Sequence, residues 1–203
     1  MNIEEQIAYS KLFHKNNNKI LGGKDEMELQ DVLEKRRSIR KYKDKEVSDE
    51  DIRLLIQAAI LAPSWKNSQV TRYYVVKSAE MLKSIKETLP EFNQQNVKDA
   101  PVLIISTIVL NRSGFDRDGT PSNELGNGWG CYDCGLHNMN ILLKATELGL
   151  STLVMGLRDE KNIRRLLKIP DNEKVISVIG LGYGDIEPEM PKRKHVDDIM
   201  KMF

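Results

Sequence analysis

The feature that most constrains the fold of this chain is the apolar run from Pro101 to Leu110. Within it, residues 102–105 form an unbroken block of valine, leucine and isoleucine. A strand with one solvent-facing side alternates apolar with polar residues, whereas a strand covered on both sides has no such alternation. The block therefore predicts a central strand packed between two layers.

The rest of the pattern supplies helices to cover this strand and further strands to pair with it. Ser48 is the predicted N-cap of the second helix, because Asp51 follows at the spacing of a capping motif, and Pro63 stops that helix. Gly149 is predicted to close the longest helix and Asp159 to cap the last one. We predict helices at 27–35, 48–62, 79–89, 131–148 and 159–167, and strands at 72–77, 101–110, 151–155 and 173–184.

Composition narrows the classes of partner. The 203 residues include 31 Lys and Arg against 30 Asp and Glu, so the formal net charge is only +1. This balance does not favour nucleic acid or an acidic membrane surface, and no apolar run approaches the roughly 20 residues that cross a bilayer. The acidic first residues do not resemble a secretory signal, so we expect a cytoplasmic protein. We predict a polar arm over 1–26 and one domain over 27–203.

Two basic clusters and one polar loop are candidate binding segments. Residues 36–40 read Arg-Arg-Ser-Ile-Arg, and residues 191–195 read Pro-Lys-Arg-Lys-His. A guanidinium fork suits a phosphate, and a serine hydroxyl adds a donor, although a solvated basic face is the alternative. The loop 62–69 carries amide and hydroxyl side chains that suit the edge of a flat heterocycle, with an ordinary turn as the alternative.

Other patterns are interpreted as structural, except for one long loop. Cys131 and Cys134 are predicted to pack as small apolar residues at the start of a helix, with a redox pair as the alternative. Asp133 and His137 lie one helical turn apart, which predicts a structural hydrogen bond, with a catalytic role as the alternative. The glycines in 180–184 precede prolines rather than a helix, so a dinucleotide-binding loop is rejected. The loop 111–129 is unusually long, which is typical of a lid or binding segment.

The order and spacing of these motifs resemble those of the FMN-dependent nitroreductase family. The resemblance rests on 36–40, 63–69, 133–135, 147–152, Gly156, 181–184 and 191–194, and it extends from about Leu29 to the C-terminus. There are two departures. Val70 and Thr71 stand where family members often carry a proline and an aromatic residue, and Leu157 replaces the second glycine of the usual pair.

The resemblance implies an α+β fold in which a central, mostly antiparallel sheet is flanked by helices, within an intertwined homodimer. FMN would lie at the subunit interface, NADH or NADPH would donate electrons, and a small molecule would accept them. No metal, nucleic acid or membrane partner is expected. The chemistry would take place on FMN, so no side chain is expected to be catalytic, and Arg40 would act electrostatically.

The resemblance also implies which residues would contact FMN. Arg36 and Arg193 would bind the phosphate with the help of Ser38, and Lys192 is the alternative to Arg193. Arg40 would approach the N1–O2 side of the ring. Asn67 would bind the pyrimidine edge, and the backbone N–H of Gly156 would point at N5. The implied cofactor-binding residues are Arg36, Arg37, Ser38, Arg40, Pro63, Ser64, Trp65, Asn67, Gln69, Val154, Met155, Gly156, Leu157, Lys192 and Arg193.

Three alternative functions remain at the level of sequence. The acceptor could be an enone or a halogenated aromatic, as in deiodinase relatives of the family. The protein could also bind or store flavin without significant turnover. An anion- or nucleic-acid-binding module would instead be colourless and would bind in a strongly salt-dependent way.

Overall fold

The computed structural model of the protein describes residues 27–203, so the predicted arm over 1–26 lies outside the described residues. Helices α1–α6 span Leu29–Lys35, Asp49–Ile60, Ala79–Lys86, Glu91–Asn96, Gly128–Glu147 and Glu160–Leu167. Strands β1–β4 span Thr71–Val76, Val102–Val109, Ser151–Met155 and Glu173–Gly182. Short 3-10 turns cover Trp65–Asn67 and Val196–Asp198.

The four strands form one antiparallel sheet in the order β1-β2-β4-β3. Strand β2 pairs with β1, with Thr71 opposite Ile108, and pairs with β4 on its other side. Strand β3 pairs with the outer side of β4. Residues 102–108 of β2 are all buried. The predicted central strand covered on both sides is therefore confirmed, as is the α+β class with an antiparallel sheet.

Helices cover both faces of the sheet because successive residues of β2 point to opposite sides. On one face, Ile104 packs with Ile141 of α5 and with the apolar side of α2. On the other face, Ile105 belongs to a cluster with Ile85 of α3 and Ile163 of α6. Truncating one such fully buried isoleucine to alanine costs about 2–5 kcal/mol, so both layers contribute to the stability of the sheet.

Local signals predicted three helix ends correctly. Ser48 Oγ accepts a hydrogen bond from the N–H of Asp51 at 3.0 Å, at the start of α2. Asp159 caps α6 in the same way, accepting from the N–H of Asn162 at 3.1 Å. Gly149 follows α5 with a φ of +73°, a conformation that favours glycine at the end of a helix.

Two predicted helix boundaries are wrong. The helix predicted at 79–89 ends at Lys86, and the separate helix α4 begins after Pro90, its N-cap residue. Helix α5 begins at Gly128 rather than Cys131, so Trp129 lies in its first turn and not in the preceding loop. Gly130 lets this end of α5 pack closely on β2, since a Cβ there would lie 2.9 Å from Ile108 Cδ1.

Tyr42 ties the segment after α1 to the sheet. Its ring is buried, and its hydroxyl donates to the carbonyl oxygen of Ile39 at 2.9 Å. A Cβ at Gly180 would lie 3.0 Å from Tyr42 Oη, and one at Gly182 would lie 2.9 Å from Tyr42 Cδ1. These two glycines therefore make room for the ring, in agreement with the rejection of a dinucleotide-binding loop.

A buried polar cluster lies between α5 and the sheet. Asn138 Nδ2 is 3.3 Å from Ser106 Oγ and 3.4 Å from Ser177 Oγ. Cys134 lies beside Asn138, and burial raises the pKa of its thiol to about 11. A protonated thiol is a poor nucleophile, so the state of Cys134 does not support the alternative of a redox pair with Cys131. Cys131 is exposed, and the prediction that both cysteines pack inside is wrong for this residue.

The C-terminal segment, residues 185–203, is exposed throughout, although it carries apolar side chains such as Ile199, Met202 and Phe203. Within residues 27–203, no helix has the length and apolar character needed to span a bilayer. The same residues contain no group of three or more His, Cys, Asp or Glu side chains that could hold a metal ion.

Candidate functional site

The loop before β1, residues 63–69, has a strained backbone. Lys66, Asn67 and Gln69 have positive φ values of +46°, +54° and +48°. Such left-handed conformations cost a non-glycine residue about 1–3 kcal/mol, and they persist only where the surroundings hold them. Strain of this kind concentrates at binding sites, and here it fixes the path of a loop whose Asn67 and Gln69 are exposed.

Asp133 of α5 holds this loop in place. Both carboxylate oxygens accept a hydrogen bond from the backbone N–H of Trp65 at 3.1 Å, and Oδ2 also accepts from Ser113 Oγ at 2.6 Å. Within the loop, Ser64 Oγ accepts from the N–H of Gln69 at 3.0 Å. Only 2% of Asp133 is exposed, so these bonds form in a region of low dielectric constant. Asp133 is a positioning residue that the sequence analysis missed.

His137 lies one turn after Asp133 and is buried, with no hydrogen-bond partner at Nε2. The predicted hydrogen bond between these side chains is wrong, because the Asp133 carboxylate is used by Trp65 and Ser113. Burial lowers the pKa of the His137 imidazole, and the nearby charge of Asp133 opposes this shift only in part. The folded protein therefore favours the neutral imidazole.

The lowered pKa of His137 predicts a loss of stability in mild acid. In the unfolded chain, a histidine imidazole has a pKa of about 6.5. Below that pH the unfolded chain takes up a proton that the folded protein resists. The free energy of unfolding therefore decreases as the pH is lowered, until the pH reaches the pKa of His137 in the folded protein. A His137→Gln variant should lose less stability than the wild type between about pH 7 and pH 5 in urea titrations. A His137→Gln variant with the wild-type slope would contradict the prediction.

The segment 110–127 packs beside the polar loop. The ring centroids of Trp129 and Trp65 are 4.7 Å apart, and Trp129 Nε1 donates to Asn123 Oδ1 at 2.9 Å. Lys66 Nζ lies 3.2 Å from Asp116 Oδ1, which joins the two loops by an ion pair. Residues 110–127 therefore form one side of the surface around the loop 63–69.

The two basic clusters lie close enough within one protomer for their charges to interact. Arg36 is the half-buried C-cap of α1, and burial lowers the pKa of its guanidinium. The positive charges of Arg193 and Arg37 lower this pKa further. Within residues 27–203, none of these arginines forms an ion pair with a carboxylate. Arginines that repel one another in this way form a site that attracts an anion.

Arg37 and Lys192 occupy different positions in this cluster. Arg37 Nη1 donates to the carbonyl oxygens of Glu34 and Arg36, the latter at 2.9 Å, so its guanidinium is turned toward the end of α1. Lys192 is exposed in the tail beside Arg193. Of the two candidate phosphate ligands in the tail, Lys192 and Arg193, Arg193 is the one whose positive charge helps to lower the pKa of Arg36.

Ser38 and Arg40 lie along the outer edge of β3. Ser38 forms a parallel bridge with Thr152, and the N–H of Ile39 donates to the carbonyl oxygen of Thr152 at 3.0 Å. Arg40 is exposed, and its Nη1 lies 3.3 Å from the carbonyl oxygen of Ser38. The first basic cluster is thereby attached to the strand that leads into residues 154–157.

The end of β3 offers an open backbone. Val154 and Leu157 are 43% and 62% exposed, and a Cβ added at Gly156 would meet nothing within 4 Å. Met155 differs, because its side chain belongs to the core and only its backbone can face a ligand.

The predicted site residues fall into two groups within one protomer. Strands β1 and β3 are the opposite edges of the sheet. The loop 63–69 leads into β1, whereas 36–40 and 154–157 lie at β3. Three strand spacings separate these edges, roughly 14 Å. The two groups of predicted residues therefore lie at opposite edges of the sheet in one protomer.

A family model described as the nitroreductase family matches residues 33–183. The chain belongs to the nitroreductase family. The match includes the first basic cluster, the strained loop, Asp133 and the end of β3. A nitroreductase relative from Methanothermobacter thermautotrophicus, provisionally named NADH dehydrogenase/NAD(P)H nitroreductase, is 38% identical over 166 residues, which cover 80% of each chain.

Solved structures of nitroreductase family proteins share this fold. One from Streptococcus pneumoniae superposes with a TM-score of 0.76 at 24% identity, covering 87% of this chain and all of that one. A nitroreductase from Desulfovibrio desulfuricans, solved in complex with FMN, superposes with a TM-score of 0.69 at 24% identity and covers 88% of this chain and 99% of that one.

Proposed function

We propose that this nitroreductase family member is an FMN-dependent NAD(P)H oxidoreductase that reduces nitroaromatic, quinone or similar electrophilic acceptors by ping-pong hydride transfer. The observation that carries the proposal is the cluster of Arg36, Arg37 and Arg193. The positive charges of these arginines repel one another, and a bound anion would offset that repulsion. The FMN complex of the Desulfovibrio desulfuricans relative supports the choice of that anion. The electron donors NADH and NADPH would be available in the cytoplasm, the predicted compartment.

The residues at β3 fit the phosphate of FMN. A phosphate near pH 7 carries close to two negative charges and accepts paired hydrogen bonds from guanidinium groups. Arg36 and Arg193, or Lys192 beside it, would bind this group, and the Ser38 hydroxyl would donate a further hydrogen bond. An anion there would also relieve the repulsion that lowers the pKa of Arg36.

The residues of the strained loop fit the ring. Asn67 and Gln69 each offer an amide that donates and accepts, as the pyrimidine edge of a flavin requires. Their left-handed backbone is fixed before binding, with the Asp133 anchor at Trp65 beside them, so little ordering would be needed on association. Pro63 and Ser64 line the same loop.

When bound, FMN supplies the hydride chemistry, taking a hydride from NADH or NADPH and delivering it to the acceptor. The protein's role is to bind, orient and tune. Arg40 would place a positive charge near the N1–O2 side of the ring, where it favours negative charge. The backbone N–H of Gly156 would donate toward N5, and Leu157 and Trp65 would restrict access to the exposed ring face.

We propose that a homodimer joins the two groups of site residues. Their separation across the sheet in one protomer supports this, because a second copy can bring its loop 63–69 to the β3 side of the first. The outer face of α5 exposes Tyr132 and Met139, at 60% and 45%, and the end of α2 exposes Leu61. Apolar surface of this kind is typical of an interface. Light scattering of the purified protein should report a dimer.

The experiment that tests the function is an absorbance spectrum of the freshly purified protein. We expect flavin bands that bleach within seconds when NADPH or NADH is added without oxygen. Persistent yellow colour would contradict the oxidoreductase and favour a flavin-storage protein. A colourless protein that takes up no added FMN would contradict FMN dependence altogether.

Removing the charge of Arg40 should slow reduction more than it weakens FMN binding. For Arg40→Ala, we expect FMN to remain partly bound and flavin reduction by NADPH in stopped-flow to slow by about tenfold or more, the effect of losing one charge-assisted interaction. Arg40→Lys keeps the charge and should recover part of the rate. An unchanged reduction rate in Arg40→Ala would show that the proposed N1–O2 role is wrong.

A further inference from the structure

A second cationic cavity lies in the long loop, away from the Arg36 cluster. It has a volume of ≈ 390 Å³ and is lined by Asn111, Arg112, Phe115, Asp116, Arg117 and Gly119. All of these residues belong to the segment between β2 and α5. None of them is among the residues assigned to FMN.

The loop that forms this cavity is rigidly built. Gly114 has a φ of +81°, and a Cβ there would lie 2.5 Å from the carbonyl oxygen of Gly126, so the two arms of the loop touch. The N–H of Ser122 donates to the carbonyl oxygen of Gly114 at 2.8 Å. Asn127 Nδ2 donates to Asn111 Oδ1 at 2.9 Å, which closes the base of the loop. The cavity is therefore a defined shape.

The charges in and around this cavity leave a positive surplus. Asp116 is paired with Lys66, and Asp118 accepts hydrogen bonds from the hydroxyl and N–H of Thr120 at its own turn. Arg112 and Arg117 are exposed, and neither forms an ion pair with another residue in 27–203. Two unpaired guanidinium groups line the same cavity as the ring of Phe115, so the cavity combines anion binding with an aromatic surface.

We propose that the cavity lined by Arg112, Phe115 and Arg117 binds an anionic group of a substrate that reacts at the neighbouring site. The ion pair of Lys66 with Asp116 connects this loop directly to the loop 63–69, which places the cavity beside the proposed ring-binding residues. The inference rests on the proposed function, since it specifies the substrate of that site. The anion is either the carboxylate of an aromatic acceptor or a phosphate of the nicotinamide dinucleotide.

Two matched ligand pairs separate these sources. 4-Nitrobenzoate and 4-nitrobenzamide are similar in shape, but only the first carries a negative charge. 1-Benzyl-1,4-dihydronicotinamide keeps the dihydronicotinamide ring of NADPH and lacks its phosphates, riboses and adenine. Binding can be followed by quenching of tryptophan fluorescence, with the nitro compounds added to the oxidised holoprotein and the dihydronicotinamides added to the reduced holoprotein without oxygen, so that neither titration includes turnover. The chain has two tryptophans, Trp65 and Trp129, and both lie beside this loop.

We expect Arg112→Gln and Arg117→Gln to weaken binding of the anionic member of one pair by about tenfold or more, as for the loss of a charge-assisted hydrogen bond, and to leave its neutral member unchanged. Arg112→Lys should recover part of the affinity. Arg53→Gln removes an exposed cation near the opposite end of β1 and should change neither pair. Weakening of only the nitrobenzoate identifies an acceptor carboxylate, and weakening of only NADPH identifies a dinucleotide phosphate.

The inference is wrong if both members of each pair respond equally, if neither responds, or if Arg53→Gln has the same effect as the two loop variants. Failure of the proposed function looks different. In that case NADPH would not bleach the flavin in the wild type, whereas the fluorescence titrations would still report whether the loop discriminates by charge. Flavin bleaching without any charge preference would overturn only the inference about the loop.

Discussion

Replacing Arg36 with glutamine is expected to weaken FMN binding about a hundredfold, the effect of losing one paired hydrogen bond to a charged phosphate, about 2–3 kcal/mol. The same change should leave the stability of the flavin-free protein unchanged or higher, because it removes repulsion with Arg193 and Arg37. A residue that only supported the fold would show the opposite pattern.

The measurement pairs an FMN titration with thermal unfolding in the absence and presence of FMN. Arg36→Gln should largely lose the upward shift of the melting temperature that FMN gives the wild type. Arg193→Gln should behave similarly, and the distant Arg53→Gln should retain the full shift. A flavin-free Arg36→Gln protein that melts well below the wild type would show that Arg36 is structural.

Asp133→Ala is expected to destabilise the protein by about 2–4 kcal/mol, because it leaves the N–H of Trp65 and the hydroxyl of Ser113 buried without an acceptor. The effect should extend to the cofactor. Once the anchor is lost, the strained residues Lys66, Asn67 and Gln69 can relax out of their left-handed conformations.

Urea denaturation and flavin content of the purified variant test this prediction together. Asp133→Asn retains one carbonyl acceptor of the same shape and should lose less stability than Asp133→Ala. Full flavin content and a wild-type urea midpoint in Asp133→Ala would contradict the anchoring role. A loss of stability with unchanged FMN affinity would limit Asp133 to a structural role.

The parts of the fold that depend on short-range signals could be predicted from the sequence. The block in β2, the caps Ser48 and Asp159 and the closing Gly149 each report a local conformation, and each is confirmed. Helix α4 was missed because six mostly polar residues are too short to show a helical period.

Contacts between distant residues could not be predicted in the same way. The start of α5 was placed too late, because glycines on both sides of Trp129 indicate a loop unless their packing against β2 is known. The role of Asp133 depends on Trp65, a residue 68 positions earlier in the chain. The helical spacing suggested His137 as the hydrogen-bond partner of Asp133. In the folded chain, Asp133 instead accepts a hydrogen bond from Trp65, which is far away in the sequence.

Tyr42 places a limit on how this region can change in evolution. Its ring occupies the space that side chains at Gly180 and Gly182 would fill, and its hydroxyl holds Ile39 in the middle of the arginine segment. A methyl group at Gly180 would also lie 2.9 Å from Val97 Cγ1, and one at Gly182 would lie 2.7 Å from Pro101 Cδ. A larger residue at either glycine therefore needs smaller neighbours on two sides at once, so these positions should change in size together rather than independently.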